Sequence, residues 1–132
     1  MSPRILILDN DRSMTATVAQ LVSYFGYEPI ECHHPQEALN LLLSESFQAL
    51  ITDYQMPAMT GLELMRHLRD QGCRIAAVLM SGDVDAIDRT LARQLEIEAI
   101  LAKPFDLFEF KDALQTALFS HRALYSTECA SL

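Results

Sequence analysis

Four residues able to do chemistry occupy matching places in this sequence. Asp9, Asp53, Ser81 and Lys103 each follow a short strand-like run: Arg4 to Leu8, Ala49 to Thr52, Ile75 to Met80 and Glu98 to Ala102. Carboxylates brought close together repel and raise one another's pKa unless a cation joins them. A hard divalent ion such as Mg2+ is held by one or two carboxylates with backbone oxygen and water. A lysine and a hydroxyl beside them would then be free to hold an anion, and phosphate is the obvious one. The chemistry within reach of such a set is the binding of a divalent cation together with a phosphate. It requires a fold that gathers four side chains spread along most of the chain.

Periodicity supplies the elements that would gather them. Arg4 to Leu8 has no polar alternation, which suits a strand buried on both faces of a parallel sheet. Beyond Asp9-Asn10-Asp11, the residues Met14, Val18, Leu21, Val22 and Phe25 mark one helical face, capped by Asp11 or Ser13 and stopped by Gly26. Tyr27 to Cys32 reads as a weaker strand. Pro29 within it lacks an amide donor and places it at a sheet edge. Pro35 suits the first turn of a second helix, with Ala38, Leu41 and Leu42 inward and an end near Glu45. Ala49 to Thr52 is a third strand. Gly61 opens a third helix with Leu62, Met65 and Leu68 inward, and Gly72 ends it. Ile75 to Met80 is a fourth strand, and Val84, Ile87, Leu91 and Leu95 recur at helical spacing. Glu98 to Ala102 is a fifth strand, and Leu107, Phe110, Leu114 and Leu118 mark the last helix. Strands and helices in alternation predict a parallel sheet with helices on both faces. In such a sheet, ligands bind beyond the carboxyl ends of the strands, near a switch in strand order. The four residues are therefore expected on one edge, although periodicity alone leaves the strand order open.

Composition narrows the partners. The 132 residues suit one domain, and the formal charge is −8, from 18 acids against 10 bases. Nucleic-acid binding needs clustered cations to release counterions. Lys103 and Lys111 are the only lysines and the arginines are scattered, so neither direct nucleic-acid binding nor attraction to an anionic membrane surface is expected. The longest apolar run, Ile75 to Met80, is far short of the ~20 residues of a membrane span, and the N-terminus has no signal-peptide pattern. Cys32, Cys73 and Cys129 match no zinc spacing and no disulfide framework, so a reduced, cytoplasmic protein is expected. His33, His34, His67 and His121 fit no ligand spacing and read as surface residues, and Glu96 and Glu98 as a solvated edge.

Four stretches taken in order carry a family resemblance: Leu6-Ile7-Leu8-Asp9-Asn10-Asp11, Thr52-Asp53-Tyr54-Gln55-Met56-Pro57-Ala58-Met59-Thr60-Gly61, Met80-Ser81-Gly82 and Ala102-Lys103-Pro104-Phe105. Over about residues 4 to 120 the chain resembles the receiver domain of two-component response regulators, of the stand-alone type. The resemblance implies a flavodoxin-like, doubly wound α/β fold: a five-stranded parallel sheet of order 2-1-3-4-5 with five helices. It implies a receiver over residues 1–121, a short tail over 122–132 and no attached output domain. It makes Asp53 the phosphoacceptor, attacking a phosphohistidine of a sensor histidine kinase or phosphotransfer protein, or a small phosphodonor. Asp9, Asn10, Asp53 and the backbone carbonyl of Gln55 would hold Mg2+. Ser81 would bond a phosphoryl oxygen, and Lys103 would pair first with the carboxylate and then with the phosphoryl group. The Lys103–Pro104 bond would be cis, which is plausible only because the second residue is proline. Such a protein is a phosphoacceptor with its own phosphorylation and dephosphorylation chemistry, not a turnover enzyme. Its signal would leave through a downstream protein target or a phosphorylation-dependent homodimer.

Two positions depart from the family pattern. Asn10 stands where a second metal-binding acid is usual, so weaker Mg2+ binding is expected from the lower ligand charge. Ile100 stands where an aromatic ring is usual. By the same resemblance, Gln55 and Asp83 would occupy positions flanking the phosphoryl group, where a side chain can admit or block hydrolytic water. Two other functions compete. One is a pseudo-receiver, an interaction module that is never phosphorylated, which Asn10 and Ile100 favour and Asp53, Ser81 and Lys103 together oppose. The other is a haloacid-dehalogenase-type phosphohydrolase built on Asp9-Asn10-Asp11, which leaves the Asp53 stretch unexplained.

Overall fold

The computed structural model describes residues 3–124. Five strands alternate with five α-helices: β1 (Arg4–Leu8), α1 (Arg12–Tyr24), β2 (Glu28–Cys32), α2 (Pro35–Ser44), β3 (Ala49–Asp53), α3 (Gly61–Asp70), β4 (Ala76–Ser81), α4 (Arg89–Gln94), β5 (Ala99–Ala102) and α5 (Leu107–Leu124). All four strand pairings are parallel, and the order is β2-β1-β3-β4-β5. The sheet is flavodoxin-like, and its strand order reverses between β1 and β3.

The strands face two cores because successive side chains point to opposite faces. Leu6, Leu8, Leu50, Ala77 and Leu79 pack with Ala38 and Leu42 of α2, Leu62, Met65 and Leu68 of α3, and Ala92 of α4. Ile5, Ile7, Ile51, Val78 and Met80 pack with Val18 and Val22 of α1 and with Phe110, Leu114 and Leu118 of α5. Burial on both faces explains the unbroken apolar runs of the inner strands. The β2 strand lies at the edge, where Pro29 sacrifices no ladder bond.

Local signals set the helix ends. Asp11 caps α1, its Oδ1 accepting the Ser13 amide at 2.9 Å. Thr60 and Glu63 form a reciprocal capping box on α3. Gly26 at φ 90° and Gly72 at φ 82° follow the first and third helices in the left-handed conformation that glycine adopts freely.

The fourth helix departs from its periodicity. A single 3-10 turn covers Val84–Ala86, Ile87 is extended, and α4 starts only at Arg89. Short acidic side chains cause the break, because they compete for backbone amides and favour caps: Asp88 accepts the Leu91 amide at 3.0 Å. Leu107, expected inward, is 38% exposed, whereas Phe110 is buried. The last helix continues to Leu124, past the expected start of the tail at 122, and the rest of that tail lies outside the described residues. Cys32 is free and buried. Cys73 is disulfide-bonded, which corrects the reading of three reduced thiols. Among the described residues, no helix is long and apolar enough to cross a membrane.

Candidate functional site

The switch in strand order sets the geometry. Asp9 follows β1, Asp53 ends β3, Ser81 ends β4 and Lys103 follows β5. Backbone bonds carry the ladder past the strand ends and hold these residues in place. The Asp9 amide donates to the Cys32 carbonyl at 3.2 Å, the Tyr54 amide to Met80 at 2.8 Å and the Lys103 amide to Ser81 at 2.8 Å. The four side chains thus share one sheet edge, and Asp9, Asp53 and Ser81 are buried there. The Lys103–Pro104 bond is cis.

One ammonium joins the two acids. Lys103 Nζ donates to Asp9 Oδ2 at 2.9 Å and to Asp53 Oδ1 at 3.0 Å. The other Asp9 oxygen accepts the Asp11 amide at 2.9 Å. Burial pushes the Asp53 carboxyl above the usual carboxylate range, and the Asp9 charge adds to that, although the Lys103 hydrogen bond opposes it. Burial alone would lower Lys103, but its bonds to Asp9 and Asp53 outweigh burial and hold its pKa above the ordinary lysine value. The two directions agree physically: the cation is well satisfied by two anions, while two anions sharing one cation retain excess negative charge.

That excess fits a hard cation. Among the described residues, no group of three or more His, Cys, Asp or Glu side chains is placed to hold a metal. Mg2+ does not require such a cage, because one or two carboxylates with carbonyl oxygen and water suffice. Asp9 and Asp53 are the available acids. Asn10 is exposed, and Asp11 is committed to the helix cap.

Ser81 is 3% exposed and its Oγ accepts the Asp83 amide at 2.9 Å. Gly61 holds α3 against the end of β3, and its amide donates to the Tyr54 carbonyl at 2.7 Å. A cavity of about 540 Å3 lies elsewhere, lined by Tyr27, Gln115, Thr116, Leu118, Phe119 and Ser120 and by none of the strand-end residues.

Two readings of polar residues change. His33, taken as a surface residue, is half-buried, with Nε2 3.0 Å from the hydroxyl of fully buried Thr15. His34 and His67 are exposed, and the His121 side chain lies outside the described residues. Glu98 is not solvated edge. Its carboxylate accepts the Ala77 amide at 3.2 Å, and Glu96 pairs with Arg74 at 3.2 Å. The Arg69 charge also acts on Glu98, and no local feature of the sequence signals that pairing.

A flavodoxin-like sheet with two buried acids, a buried hydroxyl and a bridging lysine at its carboxyl edge defines a small α/β protein with an acid–lysine site at the switch point. The sequence matches the response regulator receiver domain over residues 5–115, and the chain belongs to that family. It is 32% identical over 130 residues to the response regulator MprA of Mycobacterium ulcerans, covering 98% of this chain and 56% of that protein. It is 30% identical over 118 residues to MprA of Mycobacterium bovis, covering 89% of this chain and 51% of the relative. The chain therefore spans about half the length of the curated relatives it matches. A CheY-like receiver domain from Methanospirillum hungatei superposes with a TM-score of 0.83 at 20% identity, covering 93% of this chain and 98% of that one. The signal receiver domain of an HD domain-containing protein from Pseudomonas fluorescens gives 0.80 at 28% identity, covering 93% and 99%. The chain is a signalling module of two-component systems rather than a turnover enzyme of the usual kind.

Proposed function

We propose that residues 1–121 form a phosphoacceptor receiver whose phosphorylated residue is Asp53. One observation carries this reading: the Lys103 ammonium bridges Asp9 and Asp53 at the point where strand order reverses. An Asp53 carboxylate oxygen attacks phosphorus, and the phosphorus–nitrogen bond of a phosphohistidine breaks, leaving its electron pair on the imidazole. Lys103 is within reach of both acids, so it can pass from the Asp53 oxygen to the phosphoryl group. Ser81 Oγ, released from the Asp83 amide, can donate to a second phosphoryl oxygen. These groups offset charge on the transferred oxygens, which is most of what catalysis of phosphoryl transfer needs. Asp9, Asp53 and the Gln55 carbonyl would hold Mg2+, which when bound supplies the remaining positive charge.

The phosphodonor in this reading is a sensor histidine kinase or phosphotransfer protein in the cytoplasm. The output is protein–protein contact, with a downstream target or a second copy. Incubation with acetyl phosphate and Mg2+ tests the chemistry. Intact-mass spectrometry should show the gain of one phosphoryl group, absent in Asp53→Ala. No gain with any donor would instead support the pseudo-receiver, which exposed Asn10 favours.

A further inference from the structure

Burying a cation is costly unless its charge and its N–H groups are satisfied. Arg69, near the end of α3, is only 8% exposed. Its Nε donates to the Leu95 carbonyl at 2.7 Å and its Nη2 to the Glu96 carbonyl at 3.1 Å. Its Nη1 donates to the carbonyls of Cys73 at 3.0 Å and Ile75 at 2.9 Å. The rigid guanidinium fork suits several acceptors at fixed positions.

These acceptors belong to two connections. Cys73 and Ile75 lie between α3 and β4. Leu95 is the C-cap of α4, and Glu96 follows at φ 59°, a conformation that helix ends usually assign to glycine or asparagine. The α4 helix has six residues, too few to persist without tertiary support. Arg69 supplies that support at its C-terminal end. Glu98, whose carboxylate caps the Ala77 amide, adds an opposite charge near the guanidinium.

The other end of α4 is held differently. Gly82, Asp83, Asp85 and Asp88 are exposed. The cap there is the short Asp88 side chain, and the Asp83 amide rests on the Ser81 hydroxyl.

We infer that Arg69 is the fixed pivot of α4. When Ser81 turns to the phosphoryl group and releases the Asp83 amide, the β4–α4 connection and the first turn of α4 rearrange. Leu95 to Ile97 stay anchored to the α3–β4 connection. The direction of this motion rests on the phosphoacceptor reading, but the anchoring is a property of the resting protein.

Hydrogen–deuterium exchange resolved by peptide, with intact mass recorded on the same samples, tests both parts. The reporting amides are Leu95, Glu96 and Ile97, bonded to the carbonyls of Leu91, Arg93 and Ala92. In the resting wild type, segment 95–97 should exchange more slowly than segment 83–88. Acetyl phosphate with Mg2+ should change exchange over 83–91 and leave 95–97 unaltered. Arg69→Lys keeps a charge but loses the fork. It should still gain the phosphoryl mass, exchange about tenfold faster over 95–97, and show a phosphorylation response there. The pivot is overturned if wild-type 95–97 responds together with 83–91, or if Arg69→Lys exchanges like wild type. Absence of a mass gain would sink the phosphoacceptor reading; the pivot is then judged by the resting contrast and its loss in Arg69→Lys. Should Arg69→Lys not fold, Glu98→Gln decides: faster exchange confined to 95–97 supports the pivot, and an equal rise over 83–88 overturns it.

Discussion

Gly61 lies so close to Asp53 that a Cβ on residue 61 would sit 2.8 Å from the Asp53 backbone carbonyl oxygen. The same Cβ would meet Leu79 Cδ2 at 2.8 Å. Glycine is required here by close approach, not by backbone conformation. Gly61→Ala must push α3 away from β3, and overpacking of this kind costs about 1–3 kcal/mol. Urea unfolding should show that loss. Phosphorylation from acetyl phosphate should also slow, because the displaced backbone carries the phosphoacceptor. A variant with wild-type stability would mean that α3 shifts freely.

Sharing one ammonium between two buried acids gives the site a defined pH response. Burial raises the Asp53 pKa above 3.8 in the folded state. The folded protein therefore binds more protons between 3.8 and that raised value. The contribution of Asp53 to stability is fullest below 3.8 and is lost as pH rises through the folded pKa. Asp53→Asn should thus melt at a higher temperature than wild type at pH 7, with the gap closing as pH falls toward 3.8. Melting curves across that range check the sign.

Lys103 responds with the same sign, but at the alkaline end. Its folded pKa lies above 10.5, so its contribution is complete below 10.5 and is lost as pH rises through the folded value. Lys103→Met leaves Asp9 and Asp53 facing each other without a cation. At neutral pH it should destabilise by about 2–3 kcal/mol, less than for a fully buried pair because the lysine is partly solvated. The loss should shrink in acid, where one carboxyl is protonated. A constant loss from pH 5 to 8 would show that repulsion between the acids is not its source.

Ser81→Ala removes the acceptor of the Asp83 amide while leaving both acids and Lys103 in place. The expected cost is about 1 kcal/mol. The mass gain at Asp53 should persist, but amide spectra of the phosphorylated and free variant should differ less than those of wild type. Equal differences would exclude Ser81 from the coupling.

Asn10→Asp adds a carboxylate beside Asp9. If Asn10 belongs to the metal shell, the added charge should tighten Mg2+ binding roughly tenfold. Calorimetric titration measures this directly, and unchanged or weaker binding would remove residue 10 from that shell.

Much of the site was legible in the sequence, because each of its parts is local. The inner strands are unbroken apolar runs, since both faces of a parallel sheet are buried, and a polar residue ends such a run at the sheet edge. Asp9, Asp53, Ser81 and Lys103 are marked by that rule alone. Pro29 likewise declared the edge strand. The strand order came from the resemblance, because periodicity records which residues are buried and not which strand they lie beside.

Other features are non-local. Nothing near Glu98 in the chain announces that its carboxylate caps the Ala77 amide of a neighbouring strand. Arg69 looks like any polar residue late in a helix until the fold brings the Leu95 and Glu96 carbonyls to it. Spacing also overstated α4, because Val84, Ile87, Leu91 and Leu95 keep helical intervals while Asp88 captures a backbone amide and starts the helix late. By itself the sequence determined the elements, the identity of the strand-end residues and the acidic charge, all set by burial period and residue chemistry. Only the tertiary structure decided that one ammonium serves two carboxylates and that a buried arginine fixes one end of α4. Those outcomes depend on distances between residues far apart in the chain, which local propensity does not encode.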